Sequence, residues 1–269
     1  MSDTRILGLT RYGNLIAVSV TVVVAVSLGV LSIFLQSWRE GRDSSFLFGA
    51  AANTTGSLGF STRHYGLLGV VGNREQSWAS LANSACDRFK LYNNTAHLDR
   101  VAPMCGSSGN PDACSAGFLN HLEVRCSVYN DLTILAWATL SLVIIGLALA
   151  FGSLSSIIFT SLATWKRYIV AGLSLSGLFL VGSSSGWMLF STFYFHKLAD
   201  SATYPFPALS VGFYFCLAAG IVSFAAAAHL ALLAQTVTPQ VEERVGKRGL
   251  ADFVEQRVPV DQDDVRTQA

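Results

Sequence analysis

Hydrophobic and polar positions alternate on a coarse scale: four long uncharged runs are separated by polar stretches of very unequal length. Leu15–Leu35, Leu132–Phe159, Tyr168–Phe193 and Ala208–Ala234 contain no Asp, Glu, Lys or Arg. At about 1.5 Å of helix rise per residue, each run covers the ~30 Å hydrocarbon core of a bilayer. One charge at mid-membrane costs about 2.5–3.5 kcal/mol, so uncharged runs of this length read as membrane spans. The first run is longer than a signal-peptide core of about 7–15 residues and continues into Gln36-Ser37-Trp38-Arg39, so it is expected to stay as an anchor.

The short connections set the expected orientation, because long loops cross the membrane largely regardless of charge. Arg5 and Arg11 precede the first run, and Lys166 and Arg167 lie between the second and third. Those ends are expected in the cytoplasm. The expected organisation is a cytoplasmic N-terminus (1–14), first span (15–35), outer loop (36–131), second span (132–159), cytoplasmic turn (160–167), third span (168–193), second outer loop (194–207), fourth span (208–234) and cytoplasmic tail (235–269). Trp38, Trp165, Tyr168, Tyr194 and Tyr204 fall where amphipathic rings favour the interface.

Composition narrows the class without naming a partner. Charged residues make up 13% of the chain, against about 25% in ordinary soluble domains. A net charge of +1 offers no basic footprint for nucleic acid. Membrane lipids are the expected surroundings.

The loop 36–131 is too long to be structureless in a compact protein, so a small folded domain is expected there. Cys86, Cys105, Cys114 and Cys126 lie in it, and Cys216 lies alone in the fourth span. An even number in an oxidising compartment implies two disulfides, with the nested pairing Cys86–Cys126 and Cys105–Cys114 favoured among three connectivities. Zinc wants paired ligands about two to four residues apart, a spacing these cysteines lack, so no metal and no cofactor are expected. Asn53-Thr54-Thr55 and Asn93-Asn94-Thr95 are glycosylation sequons, both on the expected outer side. Ser45–Val71 is punctuated by glycine and reads as short strands, Trp78–Tyr92 has helical spacing, and Gly106–Pro111 reads as a turn. The expected fold class is an all-α membrane four-helix bundle with a small disulfide-linked extracellular β domain, plus a short helix, in the first outer loop.

Helices in lipid associate through small residues. The third span carries Gly182-x-x-x-Gly186 and Gly172-x-x-x-Ser176, and the fourth carries Gly212, Cys216 and Gly220 on one face. Packing inside the bundle is the first expectation for these positions, and self-association or a membrane-protein partner the second. His229 near the end of the fourth span lacks the carboxylate partner of a proton relay, and His64, His97 and His121 are scattered singly. With no nucleophile elbow, zinc motif or phosphate loop, the chain is not expected to be an enzyme. Beyond Thr236 the sequence turns polar, with Pro239, Gly246 and Gly249 expected to interrupt any long helix. The terminal Arg266-Thr267-Gln268-Ala269 places a threonine as some PDZ ligands do, although alanine is a shallow anchor.

Taken together, the four spans, large first outer loop and short second one resemble the claudin, peripheral-myelin-protein and epithelial-membrane-protein superfamily, which includes channel-regulating TARP subunits. That superfamily carries a tryptophan, then Gly-Leu-Trp, then two cysteines in its first loop. The matching positions are Trp38, Gly66-Leu67-Leu68, and Cys86 with one of the later cysteines; leucine stands at 68 in place of tryptophan. Gly186-Trp187 leading to Phe193-Tyr194-Phe195, and Gly212-Phe213-Tyr214, are also similar to the family. The resemblance implies a small outer sheet capping the bundle, a plasma-membrane location, and a role in cell–cell contact, barrier formation or membrane-domain organisation. The alternative it implies is an auxiliary subunit that regulates the traffic or gating of an ion channel or receptor.

Overall fold

The computed structural model describes residues 11–35, 37–43, 61–71, 76–94, 111–159, 162–201 and 207–255. Five helices carry most of them: α1 (Arg11–Phe34), α2 (Trp78–Asn93), α3 (Pro111–Phe159), α4 (Leu162–Ser201) and α5 (Val211–Glu255). Four of these hold stretches long and apolar enough to cross a membrane: Gly13–Phe34, Leu119–Ile158, Arg167–Leu198 and Val211–Leu233. They pack as a ring in which each span touches two neighbours, in the order α1, α3, α4, α5 and back to α1, while α2 lies against α3.

Two helices run well past their apolar runs. The 49 residues of α3 measure about 70 Å, more than twice the ~30 Å hydrocarbon core. Its first turns, from Pro111, were expected to lie in loop. They are helical, and α2 packs against this helix with a disulfide joining the two: Cys86 to Cys126, with Cα atoms 4.6 Å apart. The second correction concerns the tail. The backbone of α5 stays helical through Pro239, Gly246 and Gly249 to Glu255. Proline removes one amide donor and glycine costs about 1 kcal/mol, and a helix already nucleated by a membrane span absorbs both.

A five-stranded antiparallel sheet sits at one end of the ring, in the order β4-β3-β2-β1-β5, with β1 Arg39–Asp43, β2 Ser61–Tyr65, β3 Gly69–Val71, β4 Gln76–Ser77 and β5 Ala208–Leu209. Strand β1 pairs with β2 from Arg39↔Tyr65 to Asp43↔Ser61, and with β5 at Arg39↔Leu209 and Glu40↔Ala208. The edge strand β5 comes from the segment between α4 and α5, so the sheet is built from both connections on this side of the bundle. Residues 36–131 do not close a domain by themselves. Both edge strands are two residues long, which leaves little open ladder for another chain to extend.

Helix α2 follows directly from β4. Ser77 caps it, its hydroxyl accepting from the Ser80 amide at 3.2 Å, and Trp78, Ala82 and Ala85 form its buried face. Inside the spans, many hydroxyls are satisfied locally: Thr21 donates to the Ala17 carbonyl, Ser223 to Ala219 and Thr133 to Tyr129, at 2.7–2.9 Å. Back-bonding of this kind lets an apolar helix carry serine and threonine without leaving them unpaired.

Candidate functional site at the sheet and bundle junction

Trp38 and Arg39 stand four and five residues past the end of α1, and both are buried. The chain turns sharply there because the backbone is held from two sides: the Trp38 amide donates to the Tyr65 carbonyl and the Ser210 amide to the Trp38 carbonyl, both at 3.0 Å. The Gly212 amide then donates to the Ser37 carbonyl at 2.7 Å. A Cβ added at Gly212 would lie 2.7 Å from the Trp38 ring and 2.9 Å from the Ser37 oxygen, so only glycine lets α5 begin this close.

Around that turn, aromatic rings fill the space between sheet and spans. Trp38 meets Trp187 edge-on at 6.0 Å, Tyr65 stacks on Trp78 at 6.2 Å, and Phe195 stands edge-on to Tyr65 at 5.1 Å. Trp78 also lies 6.4 Å from both Trp187 and Tyr129, joining α2, α3 and α4. The indole of Trp38 donates to the Ser32 carbonyl at 2.7 Å, and that of Trp78 to the Gly66 carbonyl at 2.8 Å. The indole nitrogen of Trp187 is buried without a partner among the described residues.

Arg39 is the one charge at this centre among the described buried residues, at 1% exposure. Its Nε donates to the Ser191 hydroxyl at 2.8 Å, Nη1 to the Pro207 carbonyl at 2.8 Å, and Nη2 to the Met188 carbonyl at 3.1 Å and to the Thr192 hydroxyl. Its guanidinium also faces the Phe195 ring at 5.7 Å. Burial pushes its pKa down to about 10, which still leaves it charged at neutral pH. A planar five-donor fork suits this set of oxygens on α4 and before β5.

Beside the turn lies the arrangement most like catalytic chemistry. Ser37 Oγ is 3.3 Å from His64 Nδ1, and Glu40 Oε2 is 4.0 Å from the same nitrogen. A serine–histidine–carboxylate relay needs its two neighbours on opposite ring nitrogens. Here both approach Nδ1, and Ser37 is also bonded to Ser210 Oγ at 2.7 Å. The contact ties the Glu40↔His64 strand pair to the start of α5. Among the described residues no group of three or more His, Cys, Asp or Glu could hold a metal.

The other expected positions separate into those brought together and those left apart. Trp38 is core, corrected from an interfacial ring, because the turn carries it inward; Tyr168 is exposed as an interface ring would be. Gly66 accepts from Trp78, Leu67 is buried, and Leu68 is exposed at the β2–β3 turn. Cys216 is buried with its thiol 3.7 Å from Ser183 Oγ and 3.5 Å from the Leu180 carbonyl. Gly220 crosses α4 tightly, since an added Cβ would sit 2.6 Å from Val181 Cγ2 and 3.0 Å from its nitrogen. Its counterpart is Gly177, which was not singled out in the sequence. Gly182 and Gly186 were expected to pack inside the bundle, but no described atom lies within 4 Å of a Cβ built at either. The two lie about one helical turn apart, toward the outside of the ring. His121 is buried in α3, and His229 bonds Asn14 Oδ1 at 3.0 Å. Asn93 is exposed at the end of α2. Asn53, His97, Cys105, Tyr204 and the last fourteen residues lie outside the described residues, as do the side chains of Cys114 and Trp165.

Four membrane-crossing helices in a ring, tied by one disulfide to a peripheral helix, define the class: a multi-pass membrane protein. The chain matches no protein-family model and no curated protein.

Proposed function

We propose that this chain is a claudin-like four-span protein of the plasma membrane that acts in cell–cell contact, barrier formation or membrane-domain organisation, with both termini in the cytoplasm and the sheet outside. The observation that carries the reading is the Trp38–Arg39 pivot. Through it the sheet is fastened to α4 and to the start of α5 by buried hydrogen bonds, so the outward surface is held rigidly on the spans instead of hanging from a flexible loop. A platform held rigidly on the spans suits repeated contact between copies better than it suits turnover of a substrate, and the protein is read as a non-enzyme.

Gentle detergent extraction of the tagged full-length chain, followed by cross-linking and mass analysis, tests this. Homo-oligomers that disappear when the sheet surface is substituted are the expected result; a chain that stays monomeric and makes no contact between cells overturns it.

A second reading is favoured by one observation. Gly182 and Gly186 present a small-residue face on α4 that no described part of the bundle covers. Such faces admit another helix closely in lipid, which fits an auxiliary subunit of a channel or receptor. Gly182→Leu that removes a stoichiometric partner, while leaving homo-oligomers intact, selects this reading over the first.

A further inference from the structure

We propose that His64 is a pH-controlled latch: its neutral ring completes the hydrogen-bonded join between the sheet and the start of α5, and acidification moves it across to Glu40 and slackens that join. The latch itself rests on no assignment of function or orientation.

Three polar side chains meet at the turn after α1. Ser37 Oγ lies 2.7 Å from Ser210 Oγ and 3.3 Å from His64 Nδ1, so it bridges the residue before α5 to the central strand β2. Backbone bonds run alongside, from the Ser210 amide to the Trp38 carbonyl and from the Gly212 amide to the Ser37 carbonyl. Glu40 stands opposite His64 in the β1–β2 pair, with Oε2 4.0 Å from the same Nδ1. That is too far for a hydrogen bond. A ring with its proton on Nδ1 would need only a small rotation to close on this carboxylate, because a bond to a charged acceptor is roughly twice as strong as one to a hydroxyl. The nearer partner is instead Ser37, a hydroxyl able to donate. The geometry is therefore that of a neutral ring whose Nδ1 accepts from Ser37, while Ser37 accepts from Ser210.

Protonation reverses the role of that nitrogen. Nδ1 becomes a donor, Ser37 can no longer donate to it, and Glu40 becomes its best acceptor. The two side chains are 39% and 49% exposed, so protons reach them from water. As a residue type, histidine changes charge between about pH 5 and 8. The clamped arrangement holds the ring without its second proton, so lowering the pH favours the released one. Among the described side chains packed around the ring, Glu40 is the one that carries a charge: β3 places Val71 opposite His64, and Arg39 turns to the other face of β1. Next along the register come Arg63, opposite Gly41, and Arg42, opposite Thr62. In a protein that presents this sheet for contact, acid would loosen the platform from the spans; that consequence alone rests on the proposed function.

The test uses the full-length chain in detergent, with amide protection of Ser210 and Gly212 read by hydrogen exchange at about pH 8 and about pH 5 and corrected for the intrinsic rate at each. Loss of one hydrogen bond at the join should lower wild-type protection about 2- to 10-fold. His64→Gln keeps a polar side chain that takes up no proton, and should show no such fall. Glu40→Gln removes the charged acceptor and should shrink the fall, while Ser37→Ala should be weakly protected at both pH values. Protected α4 amides between Leu173 and Trp187 report that each variant is folded. Wild-type protection that is equal at both pH values overturns the latch, and so does a fall of full size in His64→Gln or in Glu40→Gln. The contact role stands or falls separately, on the cross-linking experiment.

Discussion

The same ring of helices is held together by different chemistry at its two ends. At the sheet end the core is aromatic and hydrogen-bonded: Trp38, Tyr65, Trp78, Tyr129, Trp187 and Phe195 cluster with Leu132 and Leu180 around a buried arginine. At the opposite end it is aliphatic, made of Val18, Val22, Ala150, Ile157, Ile169, Leu173 and Leu230 with small alanines on α5. The contrast follows from the surroundings. In lipid no hydrophobic effect pulls helices together, so the far end depends on close fit. At the sheet end irregular backbone must be satisfied by designed partners, because unpaired amides there would be costly. The sheet end should therefore be sensitive to loss of particular groups, and the far end to changes of volume.

The largest expected effect is at the aromatic centre. Trp187→Ala removes a fully buried ring that meets Trp38 and Trp78, and should destabilise by about 3–5 kcal/mol, read as a lowered unfolding midpoint in detergent. Val22→Ala at the far end removes two methyl groups and should cost clearly less. The phenylalanine variants sharpen the point. Trp38→Phe leaves the Ser32 carbonyl without its indole donor, whereas Trp187→Phe breaks no hydrogen bond among the described residues, so the first should lose more. Equal losses from both would mean that ring volume alone holds this end.

Next comes the disulfide. Replacing Cys86 and Cys126 together by serine should cost about 2–5 kcal/mol. The damage should be local. Amide exchange should quicken in α2 and in the first turns of α3, while α5 within the spans stays protected. Uniform loosening of all four spans would show that the two ends are a single cooperative unit, and the comparison would fail.

Arg39→Lys comes third, at about 1–3 kcal/mol, because an ammonium cannot reach Ser191, Thr192 and the Pro207 carbonyl at once. The pH dependence has a definite sign. Burial lowers the folded pKa to about 10 from the ordinary guanidinium value, so the folded chain gives up this proton first as pH rises. Below about 10 both states hold it and the contribution of Arg39 is flat; above that, until the unfolded chain also titrates, the unfolded chain holds more protons, so this group's contribution to stability rises with pH. Unfolding measured across pH 5–8 should show a constant difference between wild type and variant. A difference that changed over that range would assign the effect to another group.

Much of the far end was legible in the sequence, and much of the sheet end was not. The spans follow from uncharged runs long enough for a bilayer, and helix α2 from the spacing of Trp78, Leu81, Ala85 and Phe89. Strand β1, Arg-Glu-Gly-Arg-Asp, has no apolar alternation to betray it; pairing with β2 and β5 creates it. The same holds for Arg39, whose burial depends on oxygens supplied by α4 and by Pro207, more than a hundred residues away. Trp38 was visible as an aromatic near a membrane boundary, but only the turn at residue 37 decides whether such a ring faces lipid or core. Small residues were easy to see and hard to orient: Gly220 meets a partner, while Gly182 does not. A G-x-x-x-G spacing gives one face of a helix and not which way that face points.

The smallest effect expected belongs to the far end, where a side-chain hydrogen bond bridges two spans. Asn14, wholly buried on α1, lies with its Oδ1 3.0 Å from Nε2 of His229 on α5. Hydrogen bonds between membrane helices average only about 0.6 kcal/mol and reach about 1.7, because the separated helices find other partners in the membrane. Asn14→Leu should therefore lower stability by about that amount, and the double variant with His229→Leu should cost little more than either single change, since each already removes the bond. The double-mutant cycle measures the coupling directly. A coupling above about 2 kcal/mol would mean that this end, too, is held by a specific polar group, and the distinction between a bonded end and a fitted end would have to be given up.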